Sequence, residues 1–348
     1  MKGLYEICAR LLADGEDVVM ATIMNKSGST PQTAGTKMLV RRNGSFVGTI
    51  GGGLLESRVL AIANEVFATR QSLIRDFKYV GNDDNSMGVC GGRMDVLVEF
   101  LAASVSENVN IFRALDNELS SGHKMLLVTE LPRSTSDLAD LQRCLLLAEG
   151  KSVGNRFSAD QQEQFMQAGK GRLPQLVLVE GVQYLLEPIS LLGEVYVFGA
   201  GHVAQKVASL ISMVDFRTVV VDDRKEFATR ERFPTVNEMM VVDDFGQCMK
   251  DLTITSDSYL VIVTRGHKYD HMVLAQAIHT NAGYIGMMGS VRKRIMIYQT
   301  LRESGVTEEQ LARVHSPIGL LEDTDTPEEI AISIVAELIK VRSEKFGR

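Results

Sequence analysis

The hexapeptide Gly199-Ala200-Gly201-His202-Val203-Ala204 constrains this chain more than any other feature. It follows an apolar run at 195–198 and opens a segment with helical spacing that extends to 213. A strand, a glycine turn and a helix in that order place each small residue for a reason. Gly199 permits the tight turn, Gly201 lets backbone approach a pyrophosphate, and Ala204 allows the helix to pack closely on the sheet. The helix start, at His202, offers free N–H groups to an anion. Asp222 follows the next apolar run, 218–221, placed to accept from ribose hydroxyls. A preceding strand and a following acid turn a weak glycine motif into a dinucleotide fingerprint. Asp222 favours an unphosphorylated ribose, whereas Arg224 two positions later argues against that choice.

The pattern continues as alternating strands and helices, the signature of a parallel sheet. Strands are expected at 195–198, 218–221, 239–242, 259–263 and 284–288, and helices at 202–213, 270–281 and 292–304. The last helix has a defined start, with Thr326 as N-cap, Pro327 in the first turn, and Glu328 and Glu329 at the positive end of the dipole. Its apolar face, Ile330, Ile334, Val335, Leu338 and Ile339, would dock on the sheet or on a second subunit. Residues 194–348 therefore read as a Rossmann-like domain with helices on both faces of a parallel sheet.

Two further loops belong at the carboxyl edge of that sheet, where ligands of such folds bind. One runs from Thr264 through Arg265, Gly266 and His267 to Asp270; the other is Gly289-Ser290-Val291-Arg292-Lys293-Arg294. Arg265, His267, Ser290 and Arg292 are candidate ligand contacts. Three basic residues at a helix start oppose the macrodipole, which makes sense if an anion sits there; a solvated basic turn is the alternative. His267 is either an acid/base group or a structural hydrogen-bonding residue.

Residues 1–105 read as an α+β domain with hairpins, and 106–193 as a middle α+β region, separate or continuous with the first. A helix is expected at 4–12 and a buried strand at 18–24. Runs at 37–42 and 45–50 flank Asn43-Gly44, which predicts a hairpin closed by a type I′ turn. Gly51-Gly52-Gly53 then open a helix bearing Val59, Ile62, Ala63, Val66 and Phe67, repeating the physics of an anion cradle. Glu56, in the first turn, either caps the loop or faces a ligand. Beyond a polar loop at 82–86 lies Cys90, flanked by Gly88, Gly91 and Gly92. Its thiol is an approachable nucleophile, sulfur carrier or metal ligand, or else a buried core residue. In the middle region, strands are expected at 125–129, 145–148 and 176–179, and Glu180-Gly181 suggests another hairpin. No motif there carries chemistry.

The formal net charge of −7 over 348 residues excludes a broad affinity for nucleic acid or anionic lipid. The N-terminus lacks the layout of a signal peptide and no apolar run spans a bilayer, so a cytoplasmic protein is expected. Four scattered cysteines, Cys8, Cys90, Cys144 and Cys248, argue against a disulfide framework or a structural zinc site.

Together these motifs resemble the XdhC/CoxI family of xanthine dehydrogenase accessory proteins. The matching pieces are Gly28-Ser29-Thr30-Pro31, Gly48 through Gly53 with Glu56, and Cys90-Gly91-Gly92. In the second half they are the Gly199 loop, Asp222 with Arg224, Thr264-Arg265-Gly266-His267, Gly286 through Arg294, Ser316 through Leu320 and Thr326 through Ala331. The resemblance implies a maturation factor that holds the pyranopterin molybdenum cofactor, supports its sulfuration and delivers it to a molybdenum hydroxylase. It maps the family cysteine onto Cys90, in contact with molybdenum or handling sulfur, and assigns the cofactor's phosphate or pterin to the glycine loops. It also implies a xanthine dehydrogenase-like client, a cysteine desulfurase as partner, and a cofactor-binding accessory protein rather than a turnover enzyme. The last helix raises a homodimer as well. Two departures stand out: Gln32 where the family has Arg, and the acidic 321–325 stretch where glycine is usual. The competing readings are an NAD(P)-dependent oxidoreductase using His267 or Asp270, and a regulator that senses a dinucleotide through the Gly199 loop.

Overall fold

The computed structural model describes residues 2–345 apart from 31, 79–91, 132–140, 148–149, 192 and 322. The chain divides into two compact units, Met1–Ser190 and Leu191–Arg348.

The first unit begins with α1 (Lys2–Ala13), β1 (Val18–Ser27), β2 (Lys37–Arg41), β3 (Phe46–Gly48), α2 (Gly53–Thr69), β4 (Leu73–Lys78) and β5 (Arg93–Leu101). It continues with α3 (Ser106–Ser120), β6 (Met125–Leu131), β7 (Arg143–Leu146), β8 (Ser152–Gly154), α4 (Ala159–Ala168), β9 (Gln175–Val179) and β10 (Val182–Ile189). The two series are the same motif twice. Each forms a five-stranded antiparallel sheet, with orders β3-β2-β1-β5-β4 and β8-β7-β6-β10-β9. The registers match as well: Thr22 faces Lys37 as Thr129 faces Arg143, and Met20 faces Glu99 as Leu127 faces Glu187. Gly48 and Gly154 end the third strand of each half at φ 85° and 103°. A Cβ at either would stand 2.5 Å from a carbonyl oxygen, that of Lys37 or that of Arg143.

Alternation along the strands separates the faces. One face of the first sheet buries Val19, Ala21, Met38, Val40, Val96 and Val98 against Leu55, Val59, Ala63 and Val66 of α2. In the second half Phe165 of α4 fills the equivalent place among Val128, Leu146, Tyr184 and Leu186. The opposite strand positions carry an unusual set of buried polar residues. Lys37 Nζ lies 2.5 Å from Glu187 and donates to Thr22 Oγ1 at 2.8 Å. Arg143 pairs with Glu99 and donates to Asn108 Oδ1 at 3.1 Å. These pairs are reciprocal: the cation comes from the second strand of one half, the carboxylate from the last strand of the other. Their side chains are 3–7% exposed, so a lone partner would be a stranded buried charge.

The Asn43-Gly44 hairpin forms, but not with the expected turn. Gly44 has φ 83°, whereas Asn43 is not among the positive-φ residues. The Gly44 amide closes on Arg41 O at 2.9 Å, and the Asn43 side chain accepts from the Ser45 amide. This is a type I turn followed by a glycine bulge, which meets the strand twist with one left-handed residue instead of two. The two-residue left-handed turn occurs at Glu180 and Gly181, with φ 51° and 77°, joining β9 to β10.

The second unit comprises β11 (Glu194–Phe198), α5 (His202–Met213), β12 (Arg217–Asp222), β13 (Glu238–Val241), β14 (Ser258–Ile262), α6 (His267–Ala277), β15 (Tyr284–Met287), α7 (Val291–Glu303), α8 (Glu308–Ala312), β16 (Val314–His315) and α9 (Pro327–Lys345). All six strands are parallel, in the order β13-β12-β11-β14-β15-β16. This is the doubly wound Rossmann arrangement, with its order reversing between β11 and β14. Helices cover both faces. Val207, Ala208 and Ile211 of α5 and Ile334, Val335 and Leu338 of α9 lie on one. Val273, Leu274, Ile297 and Leu301 of α6 and α7 lie on the other. The apolar face of α9 is thus buried within its own unit, the intramolecular one of the two alternatives. Thr326 is the expected N-cap, and Glu329 makes the cap reciprocal: the Glu329 amide donates to Thr326 Oγ1 at 3.2 Å and the Thr326 amide to Glu329 at 3.1 Å. Helix α6 starts three residues earlier than the 270–281 expectation, because Gly266 serves as its N-cap and Asp270 falls within its first turn. Among the described residues, no helix is long and apolar enough to cross a membrane.

Candidate functional site

In the first unit the motifs gather at one end of the first sheet. Antiparallel pairing brings the end of β1, the start of β2, the end of β3, the end of β4 and the start of β5 to the same edge. The 28–35 loop, the 49–53 loop and the two residues flanking 79–91, Lys78 and Gly92, therefore share it. Gly92 packs directly on the Gly28-Ser29-Thr30 motif: a Cβ there would collide with Ser29 O. Cys90 itself lies outside the described residues, as do Gly88, Gly91, Pro31 and the 82–86 loop.

Gly51, Gly52 and Gly53 all have positive φ, 132°, 73° and 56°, a sequence of conformations that side chains oppose. A Cβ at Gly52 or Gly53 would meet nothing within 4 Å, so backbone conformation, not crowding, accounts for glycine here. Glu56 caps the loop. It accepts from Thr49 Oγ1 and from the Gly52 amide at 3.1 Å, while Thr49 Oγ1 receives the Gly51 amide at 3.2 Å. Helix α2 then begins at Gly53 with no side-chain cap, and its first-turn amides precede the helical hydrogen-bond ladder. Open space, amide donors and a positive helix end suit a phosphate or another oxyanion.

The second half treats the same places differently. Helix α4 is closed by a capping box, in which the Gln161 amide donates to Ser158 Oγ at 3.2 Å and the Ser158 amide to Gln161 Oε1 at 3.1 Å. Between its last two strands stands only the Glu180-Gly181 turn, where the first half carries 79–92.

In the second unit Gly199 has φ 113°, and a Cβ would stand 2.5 Å from Val263 O. Only glycine fits where the two central strands part. Gly201, the N-cap of α5, faces open space, and the helix has no side-chain cap. Ala204 is fully buried beneath it. His202 and His267 are exposed at the starts of α5 and α6.

Asp222, 1% exposed, does not offer the free oxygen that a ribose would need. One oxygen accepts from the Ala200 amide at 2.6 Å and from Arg224 Nη2 at 2.9 Å. The other accepts from the Arg224 amide at 2.9 Å and Arg224 Nε at 2.8 Å. It anchors the glycine loop and orients Arg224, whose guanidinium lies 3.8 Å above Phe227. Arg265 pairs with Asp223 and lies 3.9 Å above Tyr269. That pairing holds the Asp223 carboxyl below its usual range.

The basic start of α7 also resolves residue by residue. Ser290 is its N-cap, accepting from the Lys293 amide at 3.3 Å. Lys293 pairs with the fully buried Asp270 and donates to Met288 O at 2.9 Å, and Arg294 donates to Ser316 O. Arg292 alone of the three is exposed. Asp270 also accepts from Thr264 Oγ1 at 2.7 Å; burial nevertheless raises its carboxyl above the usual range. The Asp270–Lys293 pair is not legible in the sequence, where its one signal is the basic triplet placed against the helix dipole. Among the described residues, no group of His, Cys, Asp and Glu could hold a metal ion.

The profile described as the XdhC Rossmann domain matches residues 195–338, and that of the XdhC and CoxI family matches 11–78. The chain belongs to the XdhC/CoxI family. A Bacillus subtilis protein named as a probable subunit of xanthine dehydrogenase is 25% identical, covering 98% of each chain. The Escherichia coli molybdenum cofactor insertion chaperone PaoD is 22% identical over 97% of this chain and 88% of its own. Escherichia coli YqeB is 26% identical over 99% of this chain, which spans 47% of that longer protein. The crystal structure of a Bacillus halodurans protein titled a xanthine dehydrogenase superposes with a TM-score of 0.77 at 26% identity, covering 98% of this chain and 96% of the other.

Proposed function

We propose that this XdhC/CoxI protein binds the pyranopterin molybdenum cofactor as cargo and serves a xanthine dehydrogenase-like molybdenum hydroxylase as a maturation chaperone. The observation that carries the proposal is the contrast between the halves of the first unit. The first half gathers a glycine run, an uncapped helix and both flanks of the Cys90 segment at one sheet edge. The second half closes the equivalent edge with a capping box and a two-residue turn. The name of the similar PaoD supports the same class of role.

The residues suit such a cargo. The amides at the start of α2 and the open space over Gly52 and Gly53 would receive its phosphate. Cys90 would stand by the metal or handle sulfur, a cysteine desulfurase being the source. Holding the cargo shields it from water and oxidant until the client enzyme takes it. In the second unit the Gly199 loop and the start of α5 would hold a dinucleotide. Of the two groups that the oxidoreductase alternative would use, Asp270 is already bound by Lys293 and Thr264, which leaves it His267 alone, without the matched acid and base that such chemistry needs.

Protein purified from cells that make the cofactor tests this reading. Pterin and molybdenum should accompany the wild type and be lost from Cys90→Ala. Absence of pterin from the wild type, with turnover on a nicotinamide, would overturn it.

A further inference from the structure

The ligand class of the second unit's edge can be narrowed, on the reading that the Gly199 loop holds a dinucleotide. We infer that this site selects a ribose carrying a phosphate monoester, as in NADP, over the free diol of NAD, and that Arg224 is the selecting residue.

A diol-selecting Rossmann site keeps an acid at the end of its second strand with oxygens free to accept from both hydroxyls. Asp222 occupies that position, yet its carboxylate receives four donors: the Ala200 amide, the Arg224 amide, Arg224 Nε and Arg224 Nη2. An ionised carboxyl has about four acceptor sites, so this one is saturated. A diol arriving there would have to displace an existing bond and would gain little in exchange.

What the edge presents instead is cationic. Arg224 stacks on Phe227, as does Arg232 with its guanidinium 4.8 Å from the same ring. Arg232 also donates to Ala200 O at 3.0 Å, in the glycine loop itself. Arg265 stacks on Tyr269 near Asp223. Two guanidinium groups, those of Arg224 and Arg265, thus meet the two carboxylates of Asp222 and Asp223, and Arg232 adds a third cation beside the glycine loop. The two side-chain bonds from Arg224 to Asp222 use Nε and Nη2, which fixes the plane of the group. Arginine held in place loses less freedom when it grips a phosphate. The acid thus positions the arginine, and the arginine meets the ligand.

Calorimetric titration of the full chain with NADP⁺ and NAD⁺, and with 2′,5′-ADP and 5′-AMP as smaller probes, tests this. In the wild type NADP⁺ should bind at least about tenfold tighter than NAD⁺, the scale of one charge-assisted contact. Arg224→Ala should weaken NADP⁺ and strengthen NAD⁺, because it releases Asp222 oxygens to the diol; a merely structural role would weaken both alike. Arg224→Lys should retain part of the preference. If Arg224→Ala fails to fold, the wild-type ratio and Arg265→Ala, expected to give a smaller loss confined to the phosphorylated ligands, still decide. Equal affinities in the wild type, or parallel losses in Arg224→Ala, overturn the proposal while leaving the dinucleotide site standing. Binding of neither dinucleotide overturns both.

Discussion

The two halves of the first unit share strand order, register and a pair of reciprocal buried ion pairs, yet they differ wherever chemistry could occur. Residues 49–53 form a glycine run ahead of an uncapped helix, whereas 155–158 end in Ser158, which caps its helix together with Gln161. One half leaves first-turn amides available, and the other satisfies them from within. The lesson is that a repeated scaffold needs its symmetric parts for stability, while its asymmetric parts mark the ligand site.

The largest effect should come from the symmetric part. Lys37→Met or Arg143→Met strands Glu187 or Glu99 in a buried setting and should each cost about 3–5 kcal/mol in urea unfolding. Comparable losses sharpen the comparison, and a large loss at one site with none at the other breaks it. Replacing both members, Lys37→Met with Glu187→Leu, should recover most of the loss. Next in size, Gly52→Ala forces a side chain onto φ 73° and should cost about 1–2 kcal/mol. At the matching place in the second half, Ser158→Ala should cost about 1 kcal/mol through the lost cap. The smallest perturbation is chemical labelling at pH 8. Burial raises the thiols of Cys8, Cys144, to about 11, and Cys248, to about 12. Iodoacetamide should therefore modify Cys90 alone in the native protein, and rapid labelling of Cys144, in β7 of the second half, would remove that distinction.

Much of the second unit is legible in the sequence because its signals are local. Helix α5 spans His202–Met213, matching the sequence expectation, and the sheet is parallel, as the alternation of strands and helices implies. The turns teach otherwise. Asn43-Gly44 carries the stronger type I′ signal, yet Glu180-Gly181 adopts the two left-handed residues. The duplication is invisible in the sequence. Identity survives only at scattered positions, such as Thr22 with Thr129, Glu99 with Glu187 and Gly48 with Gly154, while Lys37 with Arg143 and Met38 with Cys144 keep physics alone, so no repeat stands out. The edge of the second unit is legible by location but not by role. Asp222 reads as a ribose acceptor because the bond from the Ala200 amide depends on loop geometry. The sequence shows Lys293 only as part of a basic triplet, and its pairing escapes notice because Asp270 lies on another helix.

The most direct test of the central claim is the pterin content of wild type, Gly52→Ala and Ser158→Ala, each purified from cells that make the molybdenum cofactor. The account predicts stoichiometric pterin in the wild type and in Ser158→Ala, and its loss from Gly52→Ala. Pterin retained by Gly52→Ala, or lost equally from both variants, would contradict a cofactor site built on the first half alone.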